Sequence, residues 1–328
     1  MIKFAAKIMK TILLIYFSLL SFFALNAQEQ WKTVFVKRGA NVFNDITFTD
    51  SLNGFVVGQG GVILRTTDSG NKWDSLNSGT SQTLCSVSFV NKNIGYTCGY
   101  NGTILKTIDA GKTWVLQKTL TTDYLKCIKA LSVDTVYAFG RNGRMLTTTD
   151  GGKCWNFLKR ITFQDINYVH FYNPKTFIIS ASTRLDTSVI YKTKDAGLSW
   201  KTVNPENNFT TKLFLFDSIG YAVGYYNKIY KTTDSCKSWK EIYCVKDGLN
   251  KSLWSSIYFA DKNTGYVAGS CSGKPLLLKT SDGGNLWEKD EVVVSYFLGK
   301  IYIASEQKCF ILASAKGKNV ILKLNNIQ

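Results

Sequence analysis

Six aspartates occupy matched places in this chain: Asp68, Asp109, Asp150, Asp195, Asp234 and Asp282. Each lies in a stretch reading Thr-x-Asp-x-Gly-x-x-Trp, which ends in Trp73, Trp114, Trp155, Trp200, Trp239 and Trp287, and Cys236 replaces the glycine of the fifth copy. Evenly placed carboxylates can bind a cation or serve as acids and bases. The residues around these six point elsewhere. In a tight hairpin an Asp side chain accepts bonds from nearby backbone N–H groups, and Gly supplies positive φ. The six aspartates are therefore expected to be folding devices, with each indole filling a gap between neighbouring units.

Other chemistry is sparse. The one histidine, His170, sits in Tyr168-Val169-His170-Phe171. A hydroxyl-nucleophile triad needs such a base, but no serine motif accompanies it, so a packed or channel-facing role is expected. No Cys-x-x-Cys pair exists among the eight cysteines, and with one His there is no zinc spacing, so no metal is expected. The glycines precede strands rather than helices, which excludes a phosphate loop. No cofactor is expected. Glycoside hydrolysis needs two facing carboxylates. Asp165, Asp186, Glu206, Asp247 and Glu291 stand outside the repeat turns, and nothing in the sequence pairs them.

The elements that position these residues repeat with the tryptophans, which fall 41, 41, 45, 39 and 48 residues apart. A period near 40–45 with only strand signals means propeller blades. Each period reads as four strands. In the first they are 44–48 (innermost), 54–58, 62–66 and 72–76 (outermost). After the sixth tryptophan, 300–303, 310–314 and 319–324 supply three more strands, and then the chain ends where a repeat turn and a Trp strand should follow. Trp31-Lys32-Thr33-Val34-Phe35 has the pattern of every outgoing strand. Pairing it beside 319–324 would close the ring and leave no free sheet edge. The expected fold is all-β: a seven-bladed propeller of four-stranded blades over residues 28–328, the last blade closed by the N-terminal strand. Two cysteine pairs, Cys85 with Cys98 and Cys244 with Cys271, fall near each other on this layout and are candidate disulfides.

The repeat resembles the Asp-box, or BNR repeat, of sialidases, sortilins and several glycosidases. The longer stretch from Gly95 to Thr107, Gly-Tyr-Thr-Cys-Gly-Tyr-Asn-Gly-Thr-Ile-Leu-Lys-Thr, followed by its Asp-box, is similar to the repeat of Ycf48-like photosystem II assembly factors and their non-photosynthetic bacterial relatives. That resemblance implies the propeller fold, and a binding or assembly role. Sialidases of this fold need three clustered arginines and an Arg-Ile-Pro segment. None of Pro174, Pro205 and Pro275 follows Arg-Ile, so the sialidase reading fails at its motif.

Residues 1–27 read as a signal peptide: a basic start (Lys3, Lys7, Lys10), an apolar run from Thr11 to Leu25, and Ala27 at the cleavage point. Export to the periplasm or the medium follows, with no membrane span left in the mature chain. Net charge is +17, and the leader removes three lysines of it. Such a balance suggests an acidic protein or anionic glycan partner, or an envelope complex, and export argues against nucleic acid. Turns between second and third strands should share one end of the ring with the connections between blades. That end gathers Arg141, Arg144, Arg184, Lys228, Lys274, Lys316 and Lys318, with Tyr225 and Trp254 among its aromatics, and is the expected binding face of a non-enzymatic module. The alternatives are a glycanase acting at the channel mouth and a cell-surface adhesin.

Overall fold

The computed structural model describes residues 31–39, 42–182, 188–203, 210–216, 218–224, 228–244, 253–290, 292, 297–305, 308–315 and 317–324. The leader, the turn residues Arg184, Tyr225 and Lys316, and the acids Asp186, Glu206, Asp247 and Glu291 lie outside them. The protein is a seven-bladed β-propeller of four-stranded antiparallel blades. Second strands such as Gly54–Gly58, Gly95–Gly99 and Val136–Gly140 are buried at every position, because neighbouring blades cover both of their faces. Their unbroken apolar runs are what two-sided burial requires. In the second, third, fourth and sixth blades the outermost strand is two exposed residues, as at Val115–Leu116, since the residues before it belong to the turn.

The ring closes as the terminal sequences predict. Trp31–Arg38 pairs antiparallel with Lys318–Leu324, Trp31 lying opposite Leu324, and completes the sheet begun by Phe297–Ser305. Seven apolar clusters form the core, and each joins two adjacent blades, including the seam between the seventh and the first. The tryptophans bridge those gaps edge-on. Trp73 meets Phe310 of the blade before it at 6.4 Å, Trp114 meets Phe55 at 6.3 Å, and Trp155 meets Tyr96 at 6.5 Å. Trp31 does the same against Tyr266 at 6.2 Å.

One feature escapes simple strand alternation. Every innermost strand carries a β-bulge near its start, at Phe43/Asp45, Leu84/Ser86, Leu125/Cys127, Ile166/Tyr168, Thr210/Lys212, Trp254/Ser256 and Leu298/Ile301. In the blades where it is described, the residue before the bulge turns into the core, and beyond it core residues such as Ile128 alternate with lumen residues such as Lys129. Two expectations fall to this geometry. Cys85 is itself the bulged residue, so Cys98 lies opposite Ser86 and directs its thiol to the Leu125 carbonyl of the next blade at 3.7 Å. No disulfide joins Cys85 to Cys98 or Cys244 to Cys271. Trp254 precedes the bulge of its blade, as Phe43, Leu84 and Leu125 do, and is wholly buried rather than available on a binding face.

Candidate functional site

At one end of the ring the six repeat turns are built alike. The Thr hydroxyl donates to the Asp carboxylate at 2.7–2.9 Å in all six. The same hydroxyl accepts the N–H of the residue at the glycine position, at 2.9–3.2 Å, the longest being from Cys236. The backbone N–H four residues beyond each Asp donates to its carboxylate at 2.8–3.0 Å. These bonds favour the charged form. Asp109 and Asp195 are held down to about 2, chiefly by the hydroxyls of Thr113 and Ser199. Each carboxylate is occupied by its own turn, which fits the structural role.

Third-strand cations are absorbed at the same end. Lys106 Nζ donates to the Gly151 carbonyl of the following blade at 2.6 Å, Lys231 to Gly283 at 2.7 Å, and Lys323 to Ser69 at 2.9 Å. Each ammonium also lies over an aromatic ring, Tyr96, Tyr221 and Phe310 respectively. These lysines are interblade fastenings, and their charge contributes to closure of the ring.

The opposite end carries the predicted basic face. Turns such as Tyr100-Asn101-Gly102 and Arg141-Asn142-Gly143 press onto the connections between blades. Gly102 and Gly143 have φ near +64 and +65, and a Cβ on either would stand 1.8 Å from a threonine carbonyl oxygen. Only glycine fits there. Around the second and third blades the turns hold a cluster of two tilted tyrosine rings and a guanidinium. Tyr100 and Tyr124 meet with centroids 4.1 Å apart, and Arg141 lies 5.0 Å over the Tyr124 ring.

The predicted face residues do not behave as one set. Arg144 is clamped on Asp123 at 2.5 Å and packs over Phe157. Lys228 pairs with Glu241 at 2.7 Å. Arg141 makes only a long contact to Asp165, 3.8 Å, and its side chain is 43% exposed. Lys274 and Lys318 are exposed. Asp165, one of the acids considered for hydrolysis, is engaged by Lys126 at 3.0 Å as well as by Arg141.

Between the ends runs a channel walled by the innermost strands. It holds a cavity of 340 Å³ lined in part by Lys129, Tyr168, His170, Lys212, Tyr258 and Lys300. His170 is half-buried there, edge-on to Tyr172 at 4.8 Å. The sequence does not mark the channel lysines as a group. Their signal is a lysine at a lumen position inside an apolar strand, as in Leu125-Lys126-Cys127-Ile128-Lys129-Ala130, and the bulge hides which positions those are. Among the described residues no group of three metal-ligating side chains occurs, and no helix is long and apolar enough to cross a membrane.

The family model for photosynthesis system II assembly factor YCF48 matches residues 24–114 and 71–208. The chain belongs to this family. Solved structures agree on the fold. A structure described as YCF48 bound to D1 peptide superposes with a TM-score of 0.75 at 22% identity, covering 91% of this chain and 97% of the other. YCF48 from Cyanidioschyzon merolae gives 0.74 at 19%, covering 90% and 98%. A structure of U3-55K reaches 0.71 at 9% identity, covering 91% and 99%. No curated protein sequence matches the chain. Family membership carries a binding or assembly propeller, and the reach of the shape to unrelated proteins leaves the ligand to the site itself.

Proposed function

We propose that the chain is exported by residues 1–27 and serves in the periplasm or outside the cell as a non-enzymatic binding and assembly module. Its partner is an acidic segment of a protein, met at the end of the propeller that carries Tyr100, Tyr124, Arg141, Lys274 and Lys318. The observation that carries this reading is the Tyr100–Tyr124–Arg141 cluster, in which Arg141 lies over the Tyr124 ring. A guanidinium held on a ring is oriented before binding, and its remaining exposed donors suit a carboxylate. Support comes from the family, and from a relative whose solved structure is described as bound to a peptide. A hydrolase reading finds no footing in Asp165, whose carboxylate bridges Lys126 and Arg141.

The test is a titration of a labelled Glu/Asp-rich peptide, with a Lys-rich peptide as control, at low and at physiological salt. Binding confined to the acidic peptide and weakening as salt rises is expected, because exposed charges are screened beyond about 8 Å at physiological ionic strength. Equal binding of both peptides, or binding indifferent to salt, would overturn the proposal.

A further inference from the structure

We propose that the central channel binds a small oxyanion carrying two or more negative charges, phosphate or a small polycarboxylate, between Lys129, Lys212 and Lys300. This site is separate from the peptide face and does not rest on it. The three lysines come from the third, fifth and seventh blades and line one cavity. The repeated bulge puts them there. Lys212 directly follows the bulge of its strand, Lys300 lies within that of the seventh blade, and Lys129 is two places deeper than the corresponding Cys127.

The acids on hand do not balance them. Among the described innermost strands only Asp45 and Asp165 are acidic. Asp165 is taken by Lys126 and Arg141. Asp45 reaches Lys300 at 3.5 Å, but its carboxylate also accepts the Ser86 hydroxyl and the Val87 N–H, both at 3.0 Å. Lys129 is open to the lumen solvent and Lys212 is half-buried; the surrounding walls still push the Lys212 ammonium below the ordinary lysine range, with the neighbouring Lys300 charge adding to this, and desolvation lowers Lys129 with Asp45 opposing. Cations gathered along one narrow lumen gain from an anion placed between them, and a divalent one gains most.

The rest of the wall suits an oxyanion. Burial raises the Tyr168 and Tyr258 phenols above their usual range, so both keep their hydrogen as donors at neutral pH. The cavity, 340 Å³, lies at the lower end of the roughly 300–1,000 Å³ typical of small-ligand sites. It has room for phosphate or a tricarboxylate, and none for folded chain.

The experiment is isothermal titration and thermal melting of the full mature chain with phosphate and with citrate, against chloride at matched ionic strength. The variants are Lys212→Met, Lys129→Met and, on the outer face, Arg141→Glu. At least one oxyanion should bind at a single site and raise the melting temperature by about 5 °C near saturation. Which one does so separates phosphate from carboxylate. Each Met variant should bind about tenfold or more weakly, the loss of one charge-assisted contact, while Arg141→Glu keeps full affinity. Lys212→Met should also melt higher than the parent in chloride, because it removes a half-buried cation crowded by other positive charge, and Lys129→Met gives an independent reading if that variant folds poorly. Absence of binding by both oxyanions, or unchanged affinity in both Met variants, would overturn the proposal.

Discussion

The two ends of this propeller use the same residue types in opposite ways. At the repeat-turn end the aspartates are matched from blade to blade, each closing its own loop through the same three bonds, and third-strand lysines such as Lys106 and Lys231 reach the neighbouring turn. At the other end the tips differ: Gln59 in the first blade, Tyr100 in the second, Arg141 in the third. Repetition within one chain marks what every blade needs in order to fold. Variation at equivalent places marks where one blade can do something its neighbours do not. Charge alone cannot tell the ends apart, since cations are plentiful at both. The difference lies in whether the group's bonds are already made within the protein.

The largest effect should come from breaking closure, on which both ends depend. Deleting residues 28–36 removes Trp31 and most of the strand that seals the seventh blade. The expected cost is at least about 4 kcal/mol, the scale of a lost buried tryptophan, with a sheet edge exposed besides. Thermal or urea melts measure it, and a truncated chain that melts like the parent would refute the seam.

Next comes the turn end. Thr107 is buried and serves Asp109 and Gly111 at once. Thr107→Val keeps the shape and orphans the Gly111 N–H, for a cost of about 1–3 kcal/mol. Asp109→Ala loses the bonds from Thr107 and Thr113 and should cost about 1–2 kcal/mol, as removal of a helix cap does. Acid sharpens the same point. Asp109 is held down to about 2, against about 3.9 in an unfolded chain, so its stabilisation is complete above that unfolded value and disappears as pH falls toward 2. Acid melts of Asp109→Ala should therefore run closer to the parent at pH 2 than at pH 6.

The smallest effect on stability belongs to the other end. Arg141→Glu changes an exposed tip whose ion contact is long, and should move stability by only about 0.5 kcal/mol. A larger drop would make Arg141 a fastening like Arg144.

Much of this was legible in the sequence. The spacing of the tryptophans and the incomplete seventh repeat together dictate the ring and its closure by Trp31. Apolar second strands show which elements lie between blades. What stayed hidden traces to one device. The bulge in each innermost strand inserts a residue that pattern counting does not see, so simple alternation brings Cys85 near Cys98 and puts Trp254 at a surface it never reaches. The same insertion concealed the shared lumen of Lys129, Lys212 and Lys300. Side-chain pairing was also beyond reach. Nothing in the sequence tells that Arg144 is locked on Asp123 while Arg141 is left partly exposed.

The most direct test of a working face opposite a structural one is a paired measurement on Arg141→Glu and Asp109→Ala: affinity for a labelled acidic peptide, and melting temperature, in the same buffer. Arg141→Glu should lose about tenfold or more in affinity while melting with the parent, and Asp109→Ala should melt lower while binding as the parent does. Unchanged affinity in Arg141→Glu, or peptide binding lost in a still-folded Asp109→Ala, would contradict the assignment of function to the varied end.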